Sequence, residues 1–143
     1  MRFFFLLVSA AGCSGGEQTQ FTDSDEEGED LECPNIEHIP VTSPQTIGED
    51  VLVSANITDD SGVLSAIVYY KIETAIVWDQ TSMDGSGATF AGTIPGSEVK
   101  DAAGMHYYIW AQDSAPALNS CTVPNDGENG PFHFTIDDAA KKD

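Results

Sequence analysis

Met105-His106-Tyr107-Tyr108-Ile109-Trp110-Ala111-Gln112-Asp113 alternates between two sets of side chains. Met105, Tyr107, Ile109 and Ala111 form one set; His106, Tyr108, Trp110 and Gln112 form the other. A period of two is the mark of a β-strand with one face towards a core. The first set faces inward, and the run predicts a strand over 105–113. The same period recurs elsewhere. Val51, Val53, Ala55 and Ile57 alternate with Leu52, Ser54, Asn56 and Thr58, and Phe132, Phe134 and Ile136 with His133 and Thr135.

Turn-forming clusters separate these runs: Ser43-Pro44, Asp59-Asp60-Ser61-Gly62, Asp84-Gly85-Ser86-Gly87, Pro95-Gly96 and Asn125-Asp126-Gly127. The pattern predicts seven strands, over 36–41, 49–58, 64–73, 76–83, 87–94, 105–113 and 131–137. One helical turn fits within 97–103, where Ser97 and Glu98 offer caps. Many short strands at this spacing predict an all-β, antiparallel Greek-key sandwich spanning 33–138, with a short tail at 139–143.

The 143 residues are room for one ordinary domain. Charge is lopsided: 24 acidic against 5 basic side chains, net −19, with no Lys or Arg between Arg2 and Lys71. Such a surface repels a phosphate backbone and anionic lipid headgroups, so nucleic acid is excluded as a natural partner. It suits calcium, basic partners, or solubility.

Residues 1–12 read as an export signal: Arg2, a short apolar run from Phe3 to Val8, then small residues. The run is too short to span a bilayer, which takes about 20 residues. Ala10-Ala11-Gly12-Cys13 resembles the lipobox of bacterial lipoproteins. The resemblance implies cleavage before Cys13, which then carries a diacylglycerol and an amide-linked acyl chain. Ser14 after it implies outer-membrane sorting. An ordinary signal peptide cleaved near Gly12 is the alternative. Gly12-Cys13-Ser14-Gly15-Gly16 also fits G-x-S-x-G, but a nucleophile elbow needs a strand before it and a helix after it.

Residues 13–32 follow as the lipidated cysteine and an acidic tether. Glu17, Asp23, Asp25, Glu26, Glu27, Glu29, Asp30 and Glu32 have no positive neighbour, and only Phe21 and Leu31 are large and apolar. Such a segment is expected to stay disordered and extended. Asp23 to Gly28 imitates the start of an EF-hand loop, yet the twelfth position, where a bidentate Glu belongs, is Pro34.

Asp59-Asp60-Ser61-Gly62-Val63, then Val68-Tyr69-Tyr70-Lys71, Trp78, Met83, Phe90, Ile94-Pro95 and Gly104, then Tyr107 to Asp113, come in that order. The series resembles the immunoglobulin-like or fibronectin type III-like modules of secreted bacterial proteins. The resemblance implies binding, adhesion or spacing, and a tyrosine corner at Tyr107. It also implies that Cys33, before the first strand, and Cys121, in the long loop after 105–113, lie at one end of the sandwich. A disulfide between them is expected in an oxidising compartment; two free or partner-linked thiols are the alternative.

His106 and His133 are expected on one face of adjacent strands but at opposite ends, too far apart to share a metal, with His38 elsewhere. No catalytic spacing emerges, and the chain is expected not to be an enzyme. Two groups are candidate binding sites. Tyr69, Tyr108, Trp110 and His106, with Ile67, form an outward aromatic face suited to a protein or carbohydrate partner. Asp59, Asp60 and Asp113, closed over by Asp126 or Glu128, form a carboxylate cluster suited to weak calcium binding; turn capping is the alternative. No other cofactor is expected. The expectation is a membrane-anchored, extracytoplasmic binding or adhesion module. A passive spacer of the cell envelope is the alternative, with an enzyme-accessory subunit behind it; no internal repeat of the kind spacers use is visible.

Overall fold

A computed structural model describes residues 28–138. In chain order the strands are β1 (Asn35–His38), β2 (Gln45–Thr46), β3 (Val51–Thr58), β4 (Val63–Ile72), β5 (Asp79–Ser82), β6 (Asp84–Ser86), β7 (Thr89–Ile94), β8 (Met105–Asp113), β9 (Ser120–Val123), β10 (Phe132–Phe134) and β11 (Ile136–Asp137). Two 3-10 turns, Gly96–Glu98 and Gly127–Asn129, are the helical elements among the described residues. Neither is long and apolar enough to cross a membrane.

The strands form two antiparallel sheets around one core. The first has the order β1-β3-β7-β6; the second has the order β10-β8-β4-β5, with β9 also on β8. The alternation sets the faces. Along β3, Val51, Val53, Ala55 and Ile57 are buried and their neighbours exposed. Along β8, Met105, Tyr107, Ile109, Ala111 and Asp113 are buried, with half-buried residues between them. Ala66, Val68 and Tyr70 supply the inward side of β4. Each large aliphatic side chain taken out of water in this layer contributes roughly 1.5–3 kcal/mol before entropy is counted.

The chain changes sheets at Met83. β5 pairs with β4 in the second sheet, and β6, which begins one residue after Met83, pairs with β7 in the first. Met83 is buried at this crossing. Gly92 lies beside it: a Cβ there would stand 3.1 Å from the Ser82 carbonyl and 3.2 Å from Met83.

The seven expected strands appear as eleven segments. The run at 105–113 is one strand with those bounds. The expected strand at 131–137 splits into β10 and β11, and β11 leaves the sandwich to pair in parallel with β2. β9, in what reads as a long loop, pairs along β8 from Ile109 to Gln112, whereas β10 pairs from Met105 to Tyr107. The edge of the second sheet is thus one interrupted strand, which begins at Ser120.

The Tyr107 hydroxyl does not bond back a few residues upstream, as a tyrosine corner does. It reaches across the core to the N–H of Val41, at 2.8 Å, and to His38 Nε2, at 2.8 Å. The tether expectation also needs correcting at its end. Residues 28–32 have no regular structure, but Asp30 is docked on the sandwich: its backbone carbonyl accepts from Asn119 Nδ2 at 2.9 Å, and its carboxylate accepts from the Ser61 hydroxyl. Cys33 and Cys121 explain the docking. They stand at disulfide distance, Cα atoms 5.6 Å apart across 88 residues of sequence, and fix the segment against β9.

Candidate functional site

Antiparallel register lines up the outward residues of the second sheet in rows. Ile67 lies opposite Trp110, Tyr69 opposite Tyr108, and Lys71 opposite His106. On the other side of β8, His133 lies opposite His106 and Thr122 opposite Trp110. Directly opposite residues have Cβ atoms about 4.5–5.5 Å apart, close enough for rings to touch. Tyr69 and Tyr108 stack with centroids 4.9 Å apart and planes 14° apart. Trp78 meets Tyr108 edge-on, at 5.0 Å and 77°. The Lys71 ammonium sits 5.1 Å over the Trp78 ring and donates to the Ala75 carbonyl at 2.9 Å.

Lys71, Trp78, Tyr108 and Tyr69 thus form one continuous contact chain, with Trp110 in the next row. Every member is half-buried. Burial first, then Tyr69 and Glu128, raises the Tyr108 pKa, so its hydroxyl is a neutral donor and acceptor. Trp78 is not among the candidate residues: the strand expected over 76–83 contains it, but β5 begins at Asp79 and Trp78 lies in the β4–β5 turn. Beside it in sequence, Ile76 is 92% exposed and Val77 69% exposed.

The expectation that His106 and His133 lie at opposite ends of the sheet is wrong. They are directly opposite each other, rings 5.1 Å apart. The edge strand along β8 begins at Ser120 and not near 131, so His133 is near its end and meets the start of β8. Glu73, just past β4, completes the group, its carboxylate 3.1 Å from His133 Nε2. One ligand atom from each of the three lies within 4.8 Å of the others. His106 is held below the ordinary imidazole value by burial, then by His133; Glu73 opposes this and Lys71 adds to it.

The acidic end is arranged differently from the expectation. Asp59 and Asp113 converge within 4.8 Å, but the third carboxylate is Asp30. Asp126 and Glu128 do not close over the pair. They belong to the turn between β9 and β10, which packs beside Thr122, and Glu128 lies where it acts on Tyr108. Asp60 lines a shallow cleft next to Asp59 and Asp30. The carboxylates cap turns. Asp59 accepts from the Ser61 N–H at 2.9 Å. Asp113, fully buried, accepts from the N–H groups of Ala115 and Asn119 and from Asn119 Nδ2, at 3.2, 2.9 and 2.8 Å. The Ser61 hydroxyl first, then the Glu32 N–H, lowers the Asp30 pKa.

The sequence places Asp30 in an acidic run that reads as solvated, and only the fold brings it to Asp59 and Asp113. Cys13 lies outside the described residues. No protein-family model matches the chain, and no curated protein matches it.

Proposed function

We propose that the chain is a non-enzymatic, extracytoplasmic binding module with an immunoglobulin-like sandwich, anchored through a lipid on Cys13, and that it engages a protein partner with the aromatic face of its second sheet. The strand order β1-β3-β7-β6 facing β10-β8-β4-β5 supports the immunoglobulin-like reading. Ala10-Ala11-Gly12-Cys13 behind a short apolar run supports the anchor. Two acyl chains make such attachment durable, each buried CH₂ contributing roughly 0.8 kcal/mol.

The observation that carries the partner reading is the Tyr69–Tyr108–Trp78 contact chain. Its rings stack on each other, and the Trp78 ring lies under Lys71, so the surface offers ring edges and hydroxyls rather than an open flat face for a sugar. Rigid aromatics with polar tips are favoured at protein interfaces. Glu73 and Glu128 at the margin, on a chain of net charge −19, favour a partner with a basic rim.

Two experiments separate the parts. A clickable palmitate analogue labels the full chain and fails to label Cys13→Ser; equal labelling removes the lipid anchor. A photo-crosslinking phenylalanine at Tyr69 gives discrete adducts in intact cells, whereas the same residue at Leu52, 65% exposed on the opposite sheet, does not. Equal yields from both positions leave the chain a passive spacer.

A further inference from the structure

We infer that Glu73, His106 and His133 form a binding site for a divalent metal ion of the zinc class. The three come from three separate places in the chain, and the second sheet assembles them. His106 and His133 face each other across β8 and β10. Glu73 is fixed at the end of β4 by its own N–H, which donates to the Gly104 carbonyl at 3.0 Å. The backbone therefore holds all three positions before any ion arrives, and ordering costs are small.

Distances suit the ion. Nitrogen and oxygen ligands sit 2.0–2.2 Å from zinc, so two of them at a tetrahedral angle stand about 3.3 Å apart. His133 Nε2 and the Glu73 carboxylate are 3.1 Å apart. His106 keeps a ligand atom within 4.8 Å of both, a gap that side-chain rotation closes. Gly104 makes room at the site: a Cβ there would stand 2.7 Å from His133 Nε2. Lys71, opposite His106 in the next strand, has its ammonium engaged by the Ala75 carbonyl and the Trp78 ring.

The donor set selects the ion. Two imidazoles and one carboxylate favour zinc and its neighbours over calcium and magnesium, which take oxygen. Three protein ligands leave a tetrahedral ion one position, for water or a donor from outside. The site is only part-buried, Glu73 and His133 being exposed and His106 half-buried, so an ion can enter from solvent. It lies beside the aromatic face but does not depend on the partner reading.

The test is a calorimetric titration of metal-free full-length protein with zinc, repeated with His106→Ala and His133→Ala. His133 is exposed and His106 half-buried, and circular dichroism checks that each variant is folded. One zinc binds per chain, raises the melting temperature, and loses about tenfold or more in affinity in each variant. Cobalt in place of zinc gives the visible absorption of a tetrahedral nitrogen–oxygen site. Absence of saturable binding, or binding that survives either substitution, overturns the site, since the acidic segments would then hold the metal.

Discussion

His38 Nε2 accepts a hydrogen bond from the Tyr107 hydroxyl, the two atoms 2.8 Å apart. The direction follows from the partners. His38 Nδ1 stands 2.6 Å from the Ser54 carbonyl, which can only accept, so Nδ1 carries the proton and Nε2 is bare. The tyrosine oxygen meanwhile accepts from the Val41 N–H. Burial pushes the Tyr107 pKa up to about 12, keeping the hydroxyl a donor. This chain of bonds ties β1, β3 and β8 together, and it uses neutral imidazole.

Burial lowers the His38 pKa, with the Ser54 carbonyl opposing. Its folded value lies below its unfolded one. The unfolded chain therefore takes up a proton first, and stability falls as pH drops from the unfolded value of about 6.5 to the folded one. Relief of repulsion among the carboxylates acts in the opposite direction. The comparison is thus between wild type and His38→Gln: from about pH 7.5 to about pH 5, the melting temperature of wild type falls relative to that of the variant. Parallel curves would mean His38 does not titrate in this window.

Asp113→Ala leaves the N–H groups of buried Ala115 and half-buried Asn119 without their acceptor. Loss of about 2–3 kcal/mol is expected in urea denaturation. Asp113→Asn, which keeps an oxygen acceptor, loses less.

Cys33→Ser with Cys121→Ser opens the closure between the segment before β1 and β9. A loss of about 2–4 kcal/mol is expected. Amides from 28 to 33 should exchange with solvent faster in that variant, because Asn119 and Ser61 alone then hold Asp30.

Asp59→Asn removes one of three converging charges and keeps the oxygen that accepts from Ser61. Stability should rise by roughly 0.5 kcal/mol, the scale of a partly screened pair. Millimolar calcium shrinks that gain by neutralising the same repulsion in wild type. A melting temperature lower than wild type would mean that the Asp59 charge itself is required.

The architecture was legible where large apolar residues alternate, as in β3 and β8, because burial of one face demands that pattern. The inward and outward phase of β8 follows directly from Met105 to Asp113, and so do the aromatic rows. β9 was not legible. Ser120-Cys121-Thr122-Val123 has no large apolar partner set and ends at Pro124, so its pairing with β8 is a tertiary outcome. Missing it displaced His133 by the length of a strand and hid the Glu73–His106–His133 group. Trp78 and Asp30 were hidden for another reason: each lies outside regular structure and is placed by long-range contacts.

The interruption between β9 and β10 bears on how copies of the protein behave near one another. An open sheet edge is a template onto which another chain can add its own strand. Here the edge along β8 is divided into pieces of 4 and 3 residues, separated by a stretch containing Pro124 and Pro131. The other outer strands, β1, β5 and β6, have 4, 4 and 3 residues, and Pro40 follows β1 closely. None offers a long ladder of free N–H and C=O groups. Copies crowded on a surface can therefore stand side by side without zipping into a shared sheet.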